Sequence, residues 1–178
     1  MRQHSPVEGI IVYDNVIHHH KQAILYNYCI NSNFTISGWH DTESFKKEDF
    51  LHSNWLWGDL EASEILEDSD IKTIMEENGF HQDNFNRSVL NLDTMADSHS
   101  PHTHPKGEWG LLIYVNTEWE LSWGGETLFL DRDNEIVYGS KFTPNRVLVF
   151  DANIPHLVKQ QTRVADKFRM TLGIFFQK

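Results

Sequence analysis

The sequence predicts a mainly β fold, a sandwich or barrel of short strands with the helices of the first half packed outside it. Three observations carry this. Beyond residue 100 the apolar residues fall in short runs, Leu111 to Val115, Leu128 to Leu130, Val147 to Phe150 and Met170 to Phe176. Turn residues separate them at near-regular intervals, as in Asn116-Thr117-Glu118, Asp131-Arg132-Asp133-Asn134 and Thr143-Pro144-Asn145. Helical spacing is confined to the first half. Short strands with regular turn signals are the mark of all-β architectures.

Taken in order, Gly9 to Ile17 is β-branched and apolar, and predicts a strand ending near Asp14-Asn15. From His18 to about Ser32, Ala23, Tyr26 and Ile30 keep i, i+3, i+7 spacing, which predicts a helix. The adjacent His18, His19 and His20 mark a surface turn or helix start; consecutive residues point to different sides of a helix, so no metal role is expected of them. Phe34 to Trp39 is a candidate strand. Asp41 to Asp49 is charged and reads as a surface connection, and Leu51 to Gly58, with Trp55 and Trp57, as a short buried turn. Asp59 to Asn78 is helical by its stripe of Leu60, Ile65, Leu66, Ile71, Ile74 and Met75, with Asp68-Ser69-Asp70 as a break and Gly79 as the stop. Its acidic face is a solvated surface. Arg87 to Leu92 is a strand. Leu111 to Val115 is a buried strand, and Trp123 to Leu130 is entered through Gly124-Gly125, as at a bulge or tight corner. Ile136 to Tyr138, Arg146 to Phe150 and Arg169 to Phe176 complete the set.

At 178 residues the chain reads as a single domain, with 1–90 as an N-terminal strand and supporting helices and 91–178 as the core. Its formal charge of −11 argues against duplex phosphate, which needs basic patches. A nucleic acid is therefore the least expected partner, and a basic or neutral one the more expected. Cys29 is the only cysteine, so no internal disulfide can form. No apolar run approaches the ~18 residues of a membrane span. With no leader either, the chain reads as cytoplasmic. No extended heptad demands a dimer, and the oligomeric state is not legible.

The chemistry concentrates in Pro101-His102-Thr103-His104-Pro105. If that segment is extended, His102 and His104 leave the same face. Two imidazoles so placed form half of a metal site. His156 closes the phrase Val147 to His156, and Arg169 opens the last apolar run. A ligand pair on one strand and a third ligand far along the chain suit a jelly roll, where opposite strands face each other across the mouth. Three protein ligands on one side of a metal leave the other positions open, as catalysis requires.

The segment from His102 to Phe176 resembles the core of the prolyl-4-hydroxylase-like family of 2-oxoglutarate and Fe(II)-dependent oxygenases. That family reads His-x-Asp, a strand ending Tyr-Leu-Asn before a Trp, Gly-Gly-Glu, a strand running to a distal His, and an Arg before a final strand. The matching pieces are His102-Thr103-His104, Tyr114-Val115-Asn116 with Trp119, Gly124-Gly125-Glu126-Thr127, Phe150-Asp151 with Pro155-His156, and Arg169-Met170-Thr171. Ile11 to Ile17 resembles the family's opening strand. The match covers about half the chain well, and its specificity lies in the order of the pieces. The resemblance implies a double-stranded β-helix, the cupin-like form of the jelly roll. It implies Fe(II) on His102, His104 and His156, and 2-oxoglutarate and O2 as cosubstrates. Arg169 would pair bidentately with the far carboxylate of 2-oxoglutarate, for which a planar guanidinium is suited, and Tyr114 and Thr171 would stand beside it. The implied reaction is hydroxylation of a peptide side chain, of prolyl type, or of a small molecule, with release of succinate and CO2.

His104 stands where the family has a carboxylate. With a 2-oxoglutarate dianion bound, three neutral imidazoles leave Fe(II) at zero net charge, where the carboxylate would leave minus one. Three imidazoles also suit Zn(II), Ni(II) or Cu(II). Two other readings therefore stay open: a three-histidine cupin-type metalloenzyme that does not use 2-oxoglutarate, and a non-catalytic metal-binding jelly roll. Asp97 is an alternative carboxylate ligand at the cost of the same-face spacing. His99 is either a supporting residue or a loop residue. Trp109, Trp119 and Trp123 read as packing, Gly124-Gly125 as backbone geometry and Glu126 as structural. The span from His156 to Arg169 is a little long for the family, which places an insertion at Gln160 to Asp166.

Overall fold

The computed structural model describes residues 1–40, 47–95, 97 and 99–178, with the side chains of 37–50 left aside. The chain runs β1 (Arg2–Val7), β2 (Ile10–Asp14), α1 (His19–Ile30), β3 (Thr35–His40), β4 (Lys47–Trp55), α2 (Trp57–Ala62), α3 (Ser69–Glu77), β5 (Phe85–Asp93), β6 (Glu108–Tyr114), β7 (Thr127–Leu130), β8 (Ile136–Ser140), β9 (Arg146–Asp151), β10 (His156–Val158) and β11 (Arg169–Gln177). Eight strands form one antiparallel sheet in the order β1-β2-β9-β6-β11-β5-β4-β3. The other three form a smaller sheet, β10-β7-β8. This is the predicted mainly β, double-stranded β-helix, with helices outside.

Period-2 alternation decides what each face of the large sheet carries. On β11, Met170, Leu172, Ile174 and Phe176 pack into the cluster shared with Leu25, Leu60, Ile71 and Ile74 of the helical layer. Fully burying a side chain such as Phe176 stabilises the fold by ~1.5–3 kcal/mol. The intervening residues Arg169, Thr171 and Phe175 face the other way, toward the small sheet. Phe175 joins Tyr114, Phe129, Leu148 and Phe150 in the cluster between the sheets. On β5, Leu90 and Leu92 face the helices, so Arg87, Asn91 and Asp93 fall on the inner face with Arg169. Gly110 is required where it is: a Cβ there would lie 2.6 Å from the Phe150 ring.

Most predicted elements form. Asp68 divides the second helical stretch by capping α3, its side chain accepting from Asp70 N and Ile71 N; N-cap carboxylates do this for the otherwise unpaired first-turn amides. Gly79 follows α3 at φ +68°. Three departures have physical reasons. Leu51 to Gly58 is not a buried turn: its first half belongs to β4, paired with β3 and β5, and α2 begins at Trp57. Lys47 to Asp49, expected in a surface connection, lie in that strand, and 41–46 fall outside the described residues. β1, with no apolar alternation to reveal it, pairs along the outer edge of β2. Among the described residues no helix is long and apolar enough to cross a membrane.

Candidate active site

His102, His104 and His156 converge between the sheets. One nitrogen from each lies within 4.8 Å of the others. The pair His102 and His104 does not sit on a regular strand, as the spacing suggested. A single antiparallel bridge to β10 holds it instead: His102 N donates to His156 O and His156 N to His102 O, both at 3.0 Å. His104 N donates to Ala152 O at 2.9 Å. The prolines flanking the segment have no N–H to extend the ladder, so pairing stops there.

Nδ1 of His156 reaches Ile154 O at 2.8 Å and Nδ1 of His102 reaches Ser100 O at 3.1 Å. A carbonyl only accepts, so both Nδ1 atoms carry the proton and both Nε2 atoms keep a lone pair. Burial, then the neighbouring His156, His102 and Arg87, pushes the His104 pKa down to about 2. Burial and His102 push His156 down to about 3. The rings are neutral, and neutral imidazoles are what a metal needs. Nε2 of His104 and Nε2 of His156 lie 3.2 Å apart, with their rings stacked 5.0 Å between centroids. Three imidazole nitrogens gathered this closely fit a divalent transition metal.

Behind His104 lies a group that sequence reasoning missed. Its Nδ1 is 3.2 Å from Glu108 Oε2 and 2.5 Å from Arg87 Nη2. These contacts ask for opposite tautomers. Arg87 can only donate, which leaves the proton on Nε2 and directs it at His156. Glu108 accepts, which puts the proton on Nδ1 and frees Nε2 for a metal. Glu108 is wholly buried and holds Arg87 Nη2 at 2.8 Å and Asn86 Nδ2 at 2.7 Å. Arg87 lies over the Phe175 ring at 4.0 Å, and Phe175 stacks on His104 at 4.7 Å. The metal-compatible arrangement is therefore the one in which Arg87 bonds to Glu108 and Glu108 accepts the hydrogen bond of His104 Nδ1–H.

The second centre is Arg169, which exposes nothing to solvent. Its Nε donates to Gly125 O at 2.9 Å and its Nη2 to Thr127 Oγ1 at 3.1 Å. Its Nη1 meets Asp93 Oδ2 at 2.6 Å and Thr171 Oγ1 at 3.5 Å. Tyr114 donates its hydroxyl to Thr127 Oγ1 at 2.8 Å, and the guanidinium carbon lies 5.6 Å from its ring and 5.1 Å from that of Phe142. Gly125 explains the paired glycines: at φ +79° its carbonyl reaches Arg169, and a Cβ there would lie 3.0 Å from Arg169 Cδ. The segment from Gln160 to Asp166 also serves this end. Gln161 Oε1 accepts from Arg169 N at 3.3 Å, and Gly124 bridges to Gln161.

Asp93 was not singled out from the sequence, yet it stands opposite Arg169 in the β5–β11 register. Its other oxygen lies 2.9 Å from His99 Nε2, so His99 supports the arginine end. Burial alone would raise the Asp93 pKa, but Arg169 and His99 outweigh it and hold the carboxyl below its ordinary range. Asp97 does not join the three-histidine cluster; its carboxylate accepts from Thr94 N in its own turn. Trp119 donates to Gly124 O and packs edge-on against Trp123, Trp109 packs on the helical side, and Glu126 pairs with Lys159.

Residues 73–177, more than half of the chain, match the family model of the 2OG-Fe(II) oxygenase superfamily. The chain belongs to that superfamily. Its fold agrees. A prolyl-4-hydroxylase from Pseudomonas putida superposes with a TM-score of 0.71 at 15% identity, over 96% of this chain and 93% of that one. A Trichoplax adhaerens prolyl hydroxylase, solved with a peptide fragment of the hypoxia inducible factor oxygen degradation domain, gives 0.71 at 15%, over 96% and 84%. A 2OG-Fe(II) oxygenase family oxidoreductase from Burkholderia pseudomallei gives 0.68 at 14%, over 95% and 85%. No curated protein matches the sequence. The chain is a 2-oxoglutarate- and Fe(II)-dependent oxygenase, and its cofactors are Fe(II), 2-oxoglutarate and O2.

Proposed function

We propose that His102, His104 and His156 hold the iron of this oxygenase through Nε2, and that Arg169, with Tyr114 and Thr171 beside it, anchors the far carboxylate of 2-oxoglutarate. The observation that carries the reading is the cluster of three imidazole nitrogens within 4.8 Å of one another. When bound, iron and 2-oxoglutarate supply the redox chemistry, coupling decarboxylation of the oxo acid by O2 to hydroxylation of the substrate.

The chain's own residues bind, orient and exclude. Ile154 O and Ser100 O keep the Nδ1 protons in place, so that Nε2 of His156 and of His102 stays available. Phe129 and Phe150 pack apolar rings against His156, and Phe175 against His104, walling one side of the cluster. A carboxylate suits a guanidinium in kind, and Arg169 already engages one in Asp93. The substrate is a peptide side chain of prolyl type or a small molecule. Two of the similar structures are prolyl hydroxylases, one of them holding a peptide, and the charge of −11 favours a basic or neutral partner. The 178 residues work as one domain in the cytoplasm, where the buried thiol of Cys29 stays reduced.

The test is succinate release by the purified protein given Fe(II), 2-oxoglutarate and O2, a turnover that needs no identified substrate. Succinate should form, and His102→Ala and Arg169→Ala should abolish it. A protein that binds both cofactors yet makes no succinate, alone or with candidate peptides, would contradict the reading.

A further inference from the structure

The arginine that anchors 2-oxoglutarate in the reading above already holds a carboxylate of its own chain. Asp93 Oδ2 meets Arg169 Nη1 at 2.6 Å, and the pair is sealed, with Arg169 at 0% and Asp93 at 4% side-chain exposure. The contact is built in. Asp93 and Arg169 are direct partners in the β5–β11 ladder, and His99 Nε2 holds the second Asp93 oxygen at 2.9 Å. A guanidinium offers two edges for bidentate pairing, Nε with Nη2 and Nη1 with Nη2. Gly125 O occupies Nε, Thr127 Oγ1 occupies Nη2, and Asp93 with Thr171 occupies Nη1. Neither edge is left with both nitrogens uncommitted. A second carboxylate must share the cation with Asp93 or displace it, and in a water-excluded site the fixed negative charge repels it strongly.

We infer that Asp93 sets the cosubstrate preference of this oxygenase: it discounts the charge Arg169 offers to the far carboxylate, so that 2-oxoglutarate binds weakly and with little advantage over 2-oxo acids that lack that carboxylate. The inference rests on the reading of Arg169 as the anchor. Asp93 acts through Arg169, as a positioning residue. A merely orienting Asp93 would have the opposite signature, because removing it would loosen Arg169 and weaken 2-oxoglutarate binding.

The experiment is anaerobic calorimetry of the Fe(II)-loaded full chain with 2-oxoglutarate and with 2-oxopentanoate, in which a methyl group replaces the far carboxylate. In the unaltered protein the two dissociation constants should differ by less than about a hundredfold, since the anchor's charge is largely cancelled. Asp93→Asn should tighten 2-oxoglutarate by about tenfold or more and leave 2-oxopentanoate within about twofold. A larger preference for 2-oxoglutarate in the unaltered protein overturns the inference, as does an Asp93→Asn protein that binds 2-oxoglutarate no better or less well. If Asp93→Asn does not fold, the ratio in the unaltered protein decides alone. If neither acid binds, the proposed three-histidine site itself falls together with the inference; strong binding of 2-oxoglutarate with a large preference overturns the inference and leaves the reading of Arg169 standing.

Discussion

Glu108 sets Oε2 3.2 Å from Nδ1 of His104 with none of its own side chain exposed to solvent. The family's pattern has a carboxylate at the His104 position; here a carboxylate stands one ring further out. A carboxylate that accepts the distal N–H of a ligating imidazole fixes its tautomer and raises its basicity. Glu108→Gln should therefore weaken metal binding by about 10- to 100-fold. Competition against a chelator of known affinity measures this, with circular dichroism of the metal-free protein confirming the fold. Unchanged affinity would mean that Glu108 serves to hold Arg87 and Asn86 and not to tune His104.

Gly125 couples backbone geometry to the arginine. Its φ of +79° strains any side chain, and the 3.0 Å from its would-be Cβ to Arg169 Cδ would crowd one. Gly125→Ala should cost about 1–3 kcal/mol of stability through left-handed strain. It should also weaken 2-oxoglutarate binding more than metal binding, because the carbonyl held by Arg169 Nε moves. Thermal melts and separate titrations of metal and cosubstrate check both halves.

The Asp93–Arg169 pair should show in the acid limb of stability. The folded-state pKa of Asp93 is held below its ordinary value. The unfolded chain therefore takes up the proton first as pH falls, and the pair's contribution is lost on acidification through that range. Above the ordinary carboxylate pKa of ~3.9 the contribution is fully present. Urea unfolding of the unaltered protein and of Asp93→Asn should differ most near neutrality and converge as the pH drops below about 4. A difference independent of pH would show that the loss in the variant comes from packing.

The residues legible in the sequence are those whose neighbours along the chain announce them. His102 and His104 carry their own spacing, His156 follows a strand and Pro155, and Arg169 opens an apolar run. Asp93, Arg87 and Glu108 have no such signal. Each reads as an ordinary charge at or near a strand end, and its role is created by registers between strands distant in sequence: Asp93 faces Arg169 across β5 and β11, and Arg87 meets Glu108 from β5 to the start of β6. The elements that escaped notice share the same cause. β10 is three residues long, β1 is polar along an exposed edge, and β4 opens on the charged Lys47-Glu48-Asp49. None offers the alternation that marks a strand from sequence. Even the His102–His104 spacing foretold the shared direction and not its means, which is one bridge to β10.

The most direct test of the three-histidine reading is anaerobic titration of the metal-free protein with Fe(II) and then 2-oxoglutarate, watching for the charge-transfer band of the chelated complex. The band should appear with the unaltered protein and vanish with His104→Ala. A band that never forms, with Zn(II) bound tightly in its place, or one that survives loss of His104, would contradict the assignment of His104 as the third iron ligand.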